Sequence, residues 1–189
     1  KQNLGIRFLC NSRVDTIDSE MIVLLKRAGC WLISFGVESG NQSLLDAAKK
    51  RTTLKDSVAA VSMTNRAGIL TLGNFVIGLP GENRKTIQKT ILFSKKIGLD
   101  FAAFNIATPF PGSALYEIYK NKKIDWEKLQ YSSQVVCPEL NLEKWQKKAY
   151  REFYGHRPFH RLGRIVTIAG VHPVQIVRSG FNLLLNILA

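Results

Sequence analysis

Glu38 stands where a side chain can do chemistry. It follows the apolar run Trp31 to Val37, and its neighbours Ser39 and Gly40 are small. A carboxylate in that place can accept hydrogen bonds from the two hydroxyls of a ribose, or pair with an ammonium group. Cations accompany it. Arg13 closes another short apolar stretch and suits a carboxylate through two parallel hydrogen bonds. Lys50 and Arg51 end the helical segment that begins beside Glu38. Each also has a plainer use. Glu38 can be an acid at a helix N-terminus, Arg13 can pair with Asp15 or Asp18, and Lys50 and Arg51 can serve as cations in a last helical turn.

Two further stretches carry almost no side chain. Gly78-Leu79-Pro80-Gly81-Glu82 follows the apolar Phe75, Val76 and Ile77. Two glycines and a proline force a sharp turn and let backbone approach a ligand closely. Thr108-Pro109-Phe110-Pro111-Gly112-Ser113 repeats the device after Phe101 to Ala107. The peptide groups of such turns suit the edge of a flat heteroaromatic ring. A structural turn with no ligand is the bland alternative.

Strands must deliver these groups to one place. Gly5–Cys10, Trp31–Val37, Leu70–Ile77 and Phe101–Ala107 read as strands. Helices are expected from the cap at Asp18 to Gly29, around Gln42–Lys50, from Thr53 to Gly68, and from Asn83 to Gly98. Strand and helix alternate, which predicts parallel strands joined by right-handed crossovers. The unusual loops all follow strands, so they share the C-terminal edge of the sheet. Beyond Lys123 the rhythm stops. Trp126 to Leu142 read as a loop-rich return, and Glu143 to Gly155 as a helix with Trp145, Ala149 and Phe153 on one side. From Arg157 the chain is basic and then strongly apolar. Residues 151–189 hold five arginines against one glutamate. That tail is expected to be core, a partner-facing helix or a helix lying on a membrane surface.

The net charge of +13 and the pI of about 9.9 admit nucleic acid, anionic lipid or an acidic substrate as partners. The lysines sit on helices and no nucleic-acid motif accompanies them, so nucleic acid is not expected. Cys10, Cys30 and Cys137 lack metal-ligand spacing, and Cys30 reads as a buried hydrophobe. Metal ligands are therefore expected to be absent from these residues, and the cysteine usage fits a reducing cytoplasm. His156, His160 and His172, with Tyr150, Tyr154 and Phe159, read as surface or packing residues.

A carboxylate for ribose, cations for a carboxylate and bare backbone for a purine together describe a nucleoside with an amino-acid tail. S-adenosylmethionine (SAM) has those parts, and other nucleotides satisfy two of the three. In order and spacing, AGCWLISFGVESGNQ, GNFVIGLPGE and NIATPFPGSALYE resemble the radical SAM family. The branch resembled often carries an N-terminal cobalamin-binding domain. Arg13-Val14-Asp15, Gly36 to Gly40, Gly78 to Glu82 and Thr108 to Ser113 stand where its motifs stand, with Ser113 in place of a common Thr. The likeness covers about residues 4–120.

The resemblance implies an α/β fold, a partial (β/α)6 TIM-like barrel with about four of its parallel strands here, in residues 1–123. A mostly helical C-terminal extension would occupy 124–189. It implies a [4Fe-4S] cluster that cleaves SAM reductively for radical chemistry, with cobalamin-dependent methylation or rearrangement among the outcomes. Glu38, with Ser39, would meet the ribose or amino end of SAM, with Arg13 beside it. Lys50 and Arg51 would meet the methionine carboxylate. Gly78, Leu79, Pro80 and Gly81, with Thr108, Pro109, Phe110, Pro111 and Gly112, would line the adenine pocket. The partners implied are a small-molecule or lipid-like substrate and a reductant protein such as flavodoxin or ferredoxin. Peripheral membrane contact through 157–189 is a further expectation. The family's cluster motif, C-x3-C-x2-C, does not occur among these residues, so this chain is expected to be a C-terminal part that cannot assemble the cluster alone. The competing readings are a TIM-type barrel binding another nucleotide or phosphate, and a non-catalytic basic module docking to a membrane or a partner.

Overall fold

Each helix of the barrel-like part begins where a short polar side chain can replace a missing backbone partner. Asp18 accepts from Met21 N, Asn41 from Ser43 N and Ser113 from Tyr116 N. Thr53 with Asp56, and Asn83 with Thr86, form reciprocal capping boxes. The computed structural model describes residues 5–121, 137, 139–156 and 158–169. Four strands, β1 (Phe8–Ser12), β2 (Cys30–Glu38), β3 (Leu70–Ile77) and β4 (Phe101–Ile106), pair in sequence order, all parallel. Between them run α1 (Ser19–Ala28), α2 (Gln42–Ala47), α3 (Leu54–Arg66) and α4 (Arg84–Lys96). The short α5 (Ala114–Tyr119), α6 (Leu142–Tyr154) and α7 (Pro158–Ala169) come after β4.

Strand alternation sorts the two faces of this sheet. Ile33, Phe35, Val37, Phe75, Ile77 and Phe104 are buried against Ala60 and Val61 of α3 and Ile87 and Ile91 of α4. Burying a large apolar side chain of this kind contributes about 1.5–3 kcal/mol, so this layer dominates the stability. The other face is more open and carries Ser34, Asn74 and Asn105. Asn74 Nδ2 donates across it to Ser34 Oγ at 2.8 Å and to the Phe35 carbonyl at 3.2 Å.

The free side of β4 is closed by a helix instead of another strand. Three α6 side chains at four-residue intervals take up its peptide groups. Gln146 Nε2 donates to the Phe104 carbonyl (2.6 Å), and Tyr150 Oη accepts from Phe104 N (3.1 Å). Tyr154 Oη accepts from Ala102 N (3.4 Å) and donates to the Ala102 carbonyl (3.1 Å). Leu142, Ala149 and Phe153 on α6 join the same buried cluster as the strands.

α7 is bolted under the N-terminal ends of the strands. Arg164 bonds Asp100 through Nε (2.7 Å) and Nη2 (3.3 Å), and Nη2 also meets Asn65 Oδ1 (2.9 Å). Asp100 is 2% exposed and also accepts from Thr71 N and Oγ1. At the β1 side, Arg7 Nη2 donates to the Ile168 carbonyl at 2.8 Å. Among the described residues no helix is long and apolar enough to cross a membrane. The apolar run Ile176–Leu188 lies outside the described residues, as does most of Trp126–Leu142.

The expected strands and helices are present, with two shifts. β1 runs from Phe8 to Ser12 instead of Gly5 to Cys10, because its ladder with β2 starts at Phe8↔Cys30 and continues to Ser12↔Phe35. α2 stops at Ala47, so Lys50 and Arg51 lie in a loop and not in a last helical turn. Removing Arg164 leaves the Asp100 carboxylate buried without its cation. Arg164→Ala is expected to lower the unfolding free energy by about 3 kcal/mol, read from the urea midpoint at unchanged m-value.

Candidate cofactor site at the C-terminal edge of the sheet

The parallel register puts the chemistry-bearing loops at one edge. Glu38 pairs with Phe75 in the β2–β3 ladder, and Ile77 with Ile106 in the β3–β4 ladder. The two bare turns adjoin: Ala107 N donates to the Ile77 carbonyl at 2.8 Å. A Cβ built on Gly78 would lie 3.7 Å from that of Ala107.

At this edge Lys50 Nζ donates to Glu38 Oε1 at 2.7 Å, and both side chains keep about a quarter of their surface open, 21% and 25%. Gly36 makes the arrangement possible. A Cβ there would come within 2.9 Å of Glu38 Oε1 and 3.1 Å of Lys50 Nζ, so the ion pair lies directly over the strand backbone. Gly36 pairs with Asn74 in the ladder, which places the pair on the same open face as Asn74 and Ser34. The backbone is strained around it. Glu38 (φ 67°), Lys49 (φ 52°) and Arg51 (φ 57°) are non-glycine residues in the left-handed region. Each costs about 1 kcal/mol or more, and such strain concentrates where a side chain must be aimed.

The structure corrects the sequence reading at several positions. One edge of the exposed Arg13 guanidinium already has partners. Its Nε and Nη2 hold Asp15 at 2.9 and 2.8 Å, and Nη2 also donates to the Lys50 carbonyl at 3.1 Å. That pairing raises the Arg13 pKa and holds Asp15 below the usual carboxylate range. Ser39 is fully buried and faces α4: its hydroxyl meets Thr90 Oγ1 at 3.2 Å and accepts from Asn41 N. It is packing, not rim. Arg51 is exposed beside Lys50.

The first bare turn spends its own donors. Gly78 N and Leu79 N both donate to Glu82 Oε2, the first of them closely and the second at 3.2 Å. Glu82 N returns to the Leu79 carbonyl at 2.9 Å. Leu142 of α6 presses on Gly78, where a Cβ would lie 2.6 Å from Leu142 Cδ1, and φ of 95° requires glycine independently. The peptide N–H groups of residues 78 and 79 are therefore not available to a ring. Pro80 and Gly81 stay accessible. In the second turn Thr108 Oγ1 donates to the Ile106 carbonyl, Pro109 is buried, and Phe110, Pro111 and Gly112 are exposed, Phe110 by 59%.

Glu82 was quoted in the sequence only as part of a turn. Its acid at fixed spacing from Gly78 was the available signal. Asn74 and Ser34 were missed as well, although a polar residue at an alternate position of an apolar strand marks the open face. Glu82 is 5% exposed, and its Oε1 has no hydrogen-bond partner among the described residues. Burial pushes its carboxyl up to about 7, against the opposing effect of the Gly78 and Leu79 N–H groups.

What the residues can hold follows from this geometry. A carboxylate and an ammonium side by side, over a side-chain-free strand and next to accessible turns, fit a ligand that carries hydroxyls or an ammonium together with a carboxylate. The donor set fits SAM. It does not fit an iron–sulfur cluster, which takes cysteine thiolates. Cys10 and Cys30 touch each other at 3.8 Å on β1 and β2, Cys137 lies against the Gly78 carbonyl, and no cluster of metal-binding side chains occurs among the described residues.

Comparison with known proteins gives the following. The sequence profile of the Radical SAM superfamily matches residues 1–94. An uncharacterized methyltransferase of Pyrococcus horikoshii is 34% identical over 164 residues, 82% of this chain and 35% of the relative. The anaerobic magnesium-protoporphyrin IX monomethyl ester cyclase of Rubrivivax gelatinosus is 28% identical over 84% of this chain and 30% of its own length. The bacteriochlorophyllide d C-12(1)-methyltransferase of Chlorobaculum tepidum is 32% identical over 78% and 35%. The chain thus spans about a third of the length of these curated relatives. Coproporphyrinogen III oxidase of Escherichia coli, a radical SAM enzyme, shares the fold with a TM-score of 0.60 at 14% identity, over 81% of this chain and 33% of that one. A radical SAM methyltransferase of Kitasatospora setae, solved with cobalamin and a [4Fe-4S] cluster, gives 0.50 at 22%, over 53% and 20%.

The pH dependence of stability tests the Glu82 assignment. The unfolded carboxyl titrates at its ordinary 4.5, so between that pH and about 7 the folded protein keeps a proton that the unfolded chain has released. The stabilisation from that proton is complete below 4.5 and is lost as pH rises through about 7. It amounts to on the order of 3 kcal/mol. Glu82→Gln keeps an acceptor for Gly78 and Leu79 and has no proton to lose. Urea unfolding from pH 4.5 to 8 is expected to slope downward in the parent protein and to flatten in the variant.

Proposed function

The chain belongs to the radical SAM superfamily, and on that premise we propose that it is part of a radical SAM enzyme and supplies one side of the SAM site. The observation that carries the reading is the Glu38–Lys50 pair over Gly36, beside the Gly78 and Ala107 turns. SAM presents ribose hydroxyls and an ammonium to Glu38 and a carboxylate to Lys50. Each protein charge then exchanges its present partner for one of opposite sign from the ligand, so neither is left unpaired. Pro80, Gly81 and Phe110 offer an accessible, partly aromatic border for the adenine. Once bound, SAM supplies radical or methyl-transfer chemistry. This chain's residues bind and orient it; the cluster's ligands are not among them.

Methyl transfer, with cobalamin as a further cofactor, is the reaction class we favour. Its support is the two relatives named as methyltransferases and the cobalamin in the Kitasatospora setae structure. For the substrate we favour an apolar or amphiphilic small molecule. The lower half of the open sheet face holds a cavity of about 590 Å³ lined by Trp31, Leu32, Leu72, Phe101, Tyr150 and Tyr154, among others. That size and lining suit such a ligand. A reductant protein completes the reading.

In the intact protein, Glu38→Gln and Lys50→Met are each expected to weaken SAM binding by about 10- to 100-fold, the loss of one charge-assisted contact. Equilibrium dialysis with labelled SAM measures this, and unchanged affinity in both variants would falsify the assignment. The 189-residue chain expressed alone and reconstituted with iron and sulfide is expected to show no cluster absorbance.

A further inference from the structure

We infer that Arg13, braced by Asp15, is a positioning residue that fixes Lys50 for the carboxylate of the ligand; this rests on the SAM reading above. Lys50 sits in the loop between α2 and α3, in residues 48–53. Two ties within that unit hold the loop at its ends. Lys50 N donates to the Leu45 carbonyl at 3.0 Å, and Gln42 bonds the Thr52 carbonyl at 3.1 Å and Leu54 N at 3.0 Å. Among the described residues the only hydrogen bond to the backbone of this loop from outside α2, α3 and the loop itself is Arg13 Nη2 to the Lys50 carbonyl. It arrives from the end of β1, 37 residues away in sequence.

The contact lands at the residue that matters. Lys49 and Arg51, on either side, both hold left-handed backbone. Such a pair relaxes unless something outside it fixes the peptide between them. Asp15 in turn holds the guanidinium by two parallel bonds, which sets its plane and aims the second N–H of Nη2 at the carbonyl. The chain of contacts is therefore Asp15 to Arg13, Arg13 to the Lys50 carbonyl, and Lys50 Nζ to the site. A lysine side chain is long and loses little by wandering, so fixing its backbone is the means of holding its charge at one point.

The test compares two ligands. SAM carries the carboxylate that Lys50 meets, and 5′-methylthioadenosine lacks the whole amino-acid end. In the intact protein, Arg13→Gln is expected to raise the Kd for SAM about tenfold and to leave that for methylthioadenosine unchanged. In a Lys50→Met background the same change is expected to have no further effect. Asp15→Asn supplies the sign. With Arg13 acting through Lys50, loosening the brace weakens SAM. With Arg13 as a direct ligand of the carboxylate, removing a competing anion strengthens it. Equal losses for both ligands, or tighter SAM binding in Asp15→Asn, would overturn the inference. A wild-type protein that does not bind SAM overturns the ligand reading first. Unchanged SAM affinity in Arg13→Gln, against a wild type that binds, overturns the positioning role alone.

Discussion

A lysine and a glutamate held 2.7 Å apart above a residue with no side chain is the constraint around which this edge of the sheet is built. The pair lies on backbone, so a Cβ on Gly36 would have to push it aside. It must point toward the open face, so Glu38 turns into left-handed backbone at the end of β2, and the ladder to β3 shifts register between Gly36 and Glu38. It must remain reachable, so the loop that carries Lys50 stays outside α2. In water such a pair contributes little net stability. Three strained residues gathered around it are therefore poorly explained as a stabilising device, and better explained as the cost of keeping two opposite charges at one reachable place.

The neighbouring turn shows a different solution. A loop without side chains exposes its peptide groups, and exposed donors invite water as readily as a ligand. Here Glu82 folds back and takes the Gly78 and Leu79 N–H groups, while Leu142 closes the glycine from the other side. The turn is thereby a rigid surface, not a set of free donors. Its rigidity depends on a buried carboxyl with one oxygen unpartnered among the described residues. That is a costly element in a fold, tolerated because it holds the turn in one shape.

Most of the fold was legible in the sequence, because the decisive signals are local. Asp18, Thr53 and Asn83 cap the helices they were expected to cap, and the glycine-terminated helices lead into the expected strands. The shared edge of Glu38, the Gly78 turn and the Thr108 turn followed from parallel order alone. What could not be read depends on residues far apart in the chain. Ser39 looked like a rim residue because its neighbour is one; that its hydroxyl meets Thr90, 51 positions later, is a matter of packing. Lys50 looked helical because the spacing of apolar residues continues past Ala47, and the left-handed residues that end the helix are not glycines. Arg13 had two kinds of plausible partner, a nearby acid (Asp15 or Asp18) and a ligand. Its third, a carbonyl 37 residues away, carries no sequence signal.

The clasp of α6 on β4 bears on how this sheet can grow. A parallel sheet exposes unpaired peptide groups at both ends of the strand order, and an exposed edge recruits another strand. At β4 the groups of Ala102 and Phe104 are taken by Gln146, Tyr150 and Tyr154, whose spacing of four keeps them on one side of a single helix. A helix in that position also widens the open face, since it stands farther from the strand than another strand would. β1 has no such cover among the described residues. Leu9 on β1 and Ile6 just before it are more than half exposed. Among the described residues β1 is therefore the open edge of the sheet. Leu9 and Asn11 there share a face with Ser34, Asn74 and the Glu38–Lys50 pair, and just past Ser12 the Arg13 side chain crosses to the Lys50 carbonyl, which ties this edge to the loop that carries the pair.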